Sequence, residues 1–100
     1  MFEFKVRIIL DAEKVKVCPY EKAAIWETIN NIASEYEIKE TKGGVYVGTG
    51  TDRDFALFGG FTLALKTQSW FLPLVARWTL YSTEGENDLL AHYQNTERRF

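Results

Sequence analysis

Phe2, Phe4, Val6, Ile8 and Leu10 alternate with Glu3, Lys5, Arg7 and Ile9 at the head of the chain. A period of two belongs to a strand with one face buried and the other in water. The fold must therefore contain a sheet with an inside and an outside, and the rest of the chain has to cover the inside.

One segment carries the other period. In "PYEKAAIWETINNIASEY", Ile25, Ile29, Ile32 and Tyr36 recur at helical spacing, and Trp26 and Ala33 widen the stripe. Pro19 suits a first helical position, and Glu21 lies near the positive end of the helix dipole. Trp26 is expected at the margin of the core.

Beyond Glu37 the chain reads as a meander of five strands, whose registers can be checked by asking whether like faces meet. A loop at Lys66 to Ser69 sets Leu65 against Trp70, Leu63 against Leu72, Phe61 against Leu74 and Leu57 against Trp78. A loop at Thr83 to Glu86 sets Leu80 against Leu89 and Ala76 against Tyr93. Upstream, a loop at Thr51 to Arg53 sets Val47 against Leu57, and a turn at Lys42 and Gly43 sets Ile38 against Val47 and Glu40 against Val45. The apolar run "SWFLPLVARW" then becomes a long central strand, bent at Pro73, which has no N–H for the ladder. Gly59 and Gly60 mark a matching bend in its neighbour. The expected fold is α+β: one amphipathic helix packed on a curved antiparallel sheet, in the order β-α-β-β-β-β-β. A chain of 100 residues accommodates this as a single domain, residues 1–100.

The same registers populate a second sheet face. Phe58 falls opposite Arg77, Gly60 opposite Val75, Thr62 opposite Pro73 and Ala64 opposite Phe71, with Tyr46 beside Phe58 and His92 opposite Arg77. Tyr46, Phe58, Phe71, Pro73 and Val75 would form an exposed apolar patch, flanked by Arg77 and His92. Patches of this kind mark association or ligand binding, and a sheet face can supply the self-complementary surface of a two-fold dimer. The expected function is a non-enzymatic protein-interaction module, a homodimer or the partner of another protein. A second reading places a small apolar or aromatic ligand between helix and sheet, against Trp26, Phe61, Trp70 and Trp78, in a chain that is 15% aromatic.

Charge and chemistry narrow the field. The 12 Lys and Arg and 14 Asp and Glu are interspersed, so no clustered basic stripe announces a nucleic-acid partner. "SWFLPLVARW" lies between "KTQS" and further polar sequence and contains Arg77, which leaves it shorter than the roughly 20 apolar residues of a membrane span. The N-terminus lacks the pattern of a secretory signal, and Cys18 is the only cysteine, so a reducing cytoplasmic location without a disulfide is expected. Cys18 precedes Pro19 at the start of the expected helix, where a thiol can be activated, but no base accompanies it. A catalytic role for His92, the single histidine, would need a second titratable group within reach, and one His beside one Arg is not a mechanism. "GGVYVGTGTD" has none of the phosphate-cradling spacings, and the acidic loop of Glu84, Glu86 and Asp88 lacks the ligand pattern of a calcium loop. No catalytic residue, metal or cofactor is expected.

A first strand, a proline-led helix carrying Trp26 and a long meander together resemble the start of the helix-grip, Bet v 1-like lipid-binding fold. That resemblance implies an apolar cavity between helix and sheet. The long C-terminal helix that closes the cavity in that family has no counterpart in the terminal "NTERRF".

Overall fold

The computed structural model describes residues 4–83 and 85–97, so Phe2, Glu84 and Phe100 lie outside the described residues. The chain is α+β. Its elements are β1 (Lys5–Leu10), α1 (Ala12–Val17), α2 (Lys22–Glu35), β2 (Lys39–Lys42), β3 (Val45–Val47), α3 (Asp54–Lys66), α4 (Phe71–Leu74), β4 (Val75–Ser82), β5 (Gly85–Asp88) and α5 (Leu89–Glu97). The strands form one antiparallel sheet in the order β2-β3-β1-β4-β5, which puts the N-terminal strand at its centre.

In β1, Val6 and Ile8 are buried while Lys5 and Arg7 are exposed, as the alternation requires. Across the sheet Val6 pairs with Tyr46 and Ile8 with Trp78, so these side chains share one face. The helices lie on that face. The Tyr46 hydroxyl reaches Asn30 of α2, its ring lies 5.7 Å from Phe61 of α3, and Trp78 contacts Phe71 of α4 and Tyr93 of α5. The core is completed by Ile25, Ile29 and Ala33 of α2, Phe58, Phe61 and Leu65 of α3, Leu74 of α4 and Leu89 of α5.

The expected order β-α-β-β-β-β-β is corrected to β-α-α-β-β-α-α-β-β-α. The largest change is α3, which occupies what reads as a strand from Phe55 to Leu65. Short apolar runs do not separate strand from helix by composition, because both place apolar residues on the core side. Burial decides: Phe58, Phe61, Thr62 and Leu65 are inside, at i, i+3, i+4 and i+7, while Phe55 and Leu63 are among the most exposed large apolar residues. Gly60 is not a strand bend. A Cβ there would come within 2.5 Å of the Tyr36 ring, so the missing side chain lets α3 approach the end of α2.

Three further corrections follow. "SWFLPLVARW" is not one strand: Phe71 to Leu74 form a helical turn, and β4 begins only at Val75. The segment expected as the last strand is largely α5. Helix α2 forms where the 3.6 period places it, but starts at Lys22 rather than at Pro19. The resemblance to the helix-grip fold ends with the expected meander, since a helix fills the place of one of its strands.

Candidate interaction surface

Alternation that turns Val6, Ile8, Tyr46 and Trp78 toward the helices turns their neighbours the other way. The pairing registers order these neighbours into rows. One row runs Lys39, Val47, Lys5, Tyr81, Glu86 from β2 to β5, and the next runs Val45, Arg7, Thr79, Asp88 from β3 to β5. Ile9 and Arg77 form the start of a third. Between Leu10 and Ile9 the pairing skips Ala76, a bulge that leaves both Ala76 and Arg77 exposed before Trp78 turns in.

No helix among the described residues packs on this face. Lys5, Arg7, Thr41, Gly43, Val45, Val47 and Tyr81 line a shallow open depression on it. Lys5, Arg7, Lys39, Arg77, Glu86 and Asp88 are exposed, whereas Val45, Val47, Thr79 and Tyr81 are half-buried by their neighbours. The single ion pair among the described residues joins Arg53 to Glu37 at 2.7 Å, so the cations of the face have no ion-pair partner among the described residues. Charges that are interspersed along the chain are thus collected by the pleat: basic residues on β2, β1 and β4, acidic residues on β5.

The residues expected to form the outer apolar patch are placed differently. Tyr46, Phe58, Phe71 and Val75 are all buried, at most 5% exposed, and belong to the core. Pro73 is exposed on α4, Arg77 lies on the open face of β4, and His92 is exposed on α5 with its ring 5.1 Å from that of Tyr93. Tyr46 moved because of one residue of register. The β2–β3 hairpin exists, but Glu40 pairs with Tyr46 and Lys39 with Val47, and a one-residue slip exchanges the two faces of a strand. The sequence signal for this open face is the polar half of the first alternation, Lys5 and Arg7; Tyr81 and Arg77 lie on the adjacent strand, paired with Lys5 and Ile9.

The four residues expected around a ligand are also dispersed. Phe61 and Trp78 are fully buried, Trp26 and Trp70 half-buried. The pocket beside Trp70, lined with Tyr20, Ala24, Ile25 and Thr28, measures ≈ 140 Å³, and an open one beside Trp26, lined with Ile8, Ile9, Leu10, Lys22, Glu40 and Gly43, ≈ 530 Å³; neither brings together more than one of the four. Ligand sites usually occupy roughly 300–1,000 Å³.

Two polar arrangements support the fold rather than chemistry. The Asp54 carboxylate, 1% exposed, accepts from the Thr49 amide at 2.9 Å, the Thr49 hydroxyl at 2.7 Å and the Gly50 amide at 2.8 Å, tying the β3–α3 loop to the first turn of α3. Burial alone would raise its pKa, but the Thr49 hydroxyl and the Thr49, Gly50 and Thr51 amides together hold it below the ordinary value. These donors occupy most of the carboxylate's acceptor positions. Gly48 leaves room for it, since a Cβ there would lie 2.7 Å from the carboxylate. The second arrangement joins α2 to the hairpin: Tyr46 donates to Asn30 Oδ1 at 2.5 Å, Asn30 donates to Glu40, and Glu40 accepts from the Gly44 amide at 2.9 Å. Burial, and then the Glu40 charge, raise the Tyr46 pKa, which keeps it a neutral donor.

Cys18 stands at the end of α1, not at the start of α2, and its one S–H is shared between the carbonyls of Val15 and Tyr20. Among the described residues no group of three or more His, Cys, Asp or Glu is placed to hold a metal ion, and no helix is long and apolar enough to cross a membrane. No protein-family model and no curated protein matches the chain.

Proposed function

We propose that the protein is a non-enzymatic interaction module, and that its working surface is the open face of the sheet. One observation carries the reading: the helices pack on one face, while the other presents the cations Lys5, Arg7, Lys39 and Arg77, without ion-pair partners among the described residues, around Val45, Val47 and Tyr81. Half-buried aliphatic and aromatic residues between charged ones are the composition of a docking surface with a polar surround. The single cysteine favours a reducing cytoplasm as the place of action.

The test is amide-resolved NMR. Spectra are recorded while the protein is concentrated, and again while a single-stranded oligodeoxynucleotide or polyglutamate is added at low salt. Shifts confined to Lys5, Arg7, Val45, Val47 and Tyr81 are the expected result. Shifts gathered on α2 and α3, or none in any titration, reject the open face as the working surface.

A further inference from the structure

We infer that the occupant of the open face is a second copy of this chain, packed sheet against sheet about a two-fold axis that runs along β4. The inference rests on the open face being the working surface and adds which partner it takes. Its basis is the order of charge within the rows. Lys5 and Glu86 flank Tyr81 in one row, and Arg7 and Asp88 flank Thr79 in the next, so β1 is basic and β5 acidic on either side of a neutral β4 segment.

A two-fold axis parallel to β4 exchanges the two sides of that strand without moving a residue out of its row. It therefore sets β1 of each copy over β5 of the other. Lys5 then lies over Glu86 of the second copy and Arg7 over Asp88, each contact occurring twice. Tyr81 and Thr79 meet their own equivalents on the axis, as does Arg77 in the next row, where two like charges face each other. Sheets packed face to face sit about 10 Å apart with strands nearly aligned, a gap that lysine and arginine side chains can bridge. Nothing in this arrangement requires the helices to move.

Charge also separates this partner from a polyanion. A phosphate backbone crossing the rows would meet Lys5 and Arg7 but would then run onto Glu86 and Asp88, which repel it. A second copy uses both signs. About this axis only β1, β4 and β5 of each copy overlap, roughly 10 Å across at the usual strand spacing, so the buried area falls below that of a standard specific interface and the association is weak. Association should accordingly depend on concentration, and on salt, because exposed pairs are screened.

The experiment is light scattering on a sizing column over a wide range of loading concentrations, with paired charge reversals. Wild type should approach twice the chain mass at the highest loading and fall back when salt is added. Lys5→Glu with Arg7→Glu should weaken association by on the order of a hundredfold, and Glu86→Lys with Asp88→Lys by a similar factor. An equimolar mixture of the two double variants should recover the dimer, because the reversed charges are again complementary. Circular dichroism of each variant establishes that it is folded.

A wild type that stays monomeric throughout overturns the inference. So does a dimer that persists in both double variants, or a mixture that fails to recover it. If a monomeric wild type binds polyglutamate or the oligonucleotide, and Lys5→Glu with Arg7→Glu abolishes that binding, the second copy is rejected and the docking face stands. If it binds neither, both fail.

Discussion

Along β1 and β4, residues that are neighbours in sequence live under different constraints. Trp78 is inaccessible, packed edge-on against Phe71 at 4.8 Å and stacked on Tyr93 at 5.3 Å, while Arg77 beside it is exposed and unpaired. Val6 is inaccessible, while Lys5 and Arg7 on either side meet water. The covered face holds the fold through area removed from water, about 25 cal/mol per Å², and its side chains are constrained by their neighbours. The open face removes less area from water, with Val45, Val47, Thr79 and Tyr81 only half-buried, so packing constrains its residues less.

The comparison breaks most visibly at Trp78. Trp78→Ala should cost about 3–5 kcal/mol in urea unfolding, by loss of burial and by the cavity left between α4, α5 and the sheet. Arg77→Ala, one residue away, should leave the unfolding midpoint unchanged. The indole Nε1 of Trp78 is buried with no hydrogen-bond partner, so Trp78→Phe should cost much less than Trp78→Ala.

Asp54→Ala comes next, at about 1.5–3 kcal/mol for hydrogen bonds to a buried charge. Its pH dependence has a definite sign. The folded carboxyl has a pKa below that of the unfolded chain, about 3.9 for an ordinary aspartate. Its contribution is therefore fully present above the ordinary carboxylate range and is lost as pH falls through the folded value. Urea midpoints measured down an acid series should converge for wild type and Asp54→Asn; curves that stay parallel would remove Asp54 from the account of acid stability.

Gly60→Ala tests the approach of α3 to α2. Overpacking against the Tyr36 ring should cost about 1–3 kcal/mol, and an unchanged midpoint would mean that the ring swings aside. Tyr46→Phe sharpens the comparison at its weakest point. It removes one hydrogen bond to Asn30 and should cost about 0.5–1.5 kcal/mol, with the ring still in the core.

Much of this was legible in the sequence where the pattern was long and tied to one period. The first strand is present, the helix expected from Pro19 is found from Lys22 to Glu35, and the hairpin expected to turn at Lys42 and Gly43 is found with its register shifted by one residue. Legibility ended where a short apolar run satisfied two periods at once. Phe58, Phe61 and Leu65 fit a helix stripe, while Leu57, Phe61 and Leu65 fit a strand; the choice depended on Tyr36 and Tyr46 packing against them, which no local window contains. The candidate site suffered from the same ambiguity. With Phe55 to Leu65 read as strand, apolar residues filled the outer face; with that segment folded as α3, they left it for the core, and Lys5, Arg7 and Tyr81 remained.

By itself, then, the sequence determined that a sheet exists, that β1 has an apolar and a basic side, and that one helix covers the apolar side, because these follow from alternation and spacing within single segments. Which strands lie beside β1, which register turns Tyr46 inward, and which charges share a row were decided only by tertiary packing. Those choices depend on contacts between residues far apart in the chain, where burial of the whole core selects one pairing among several that local sequence allows equally.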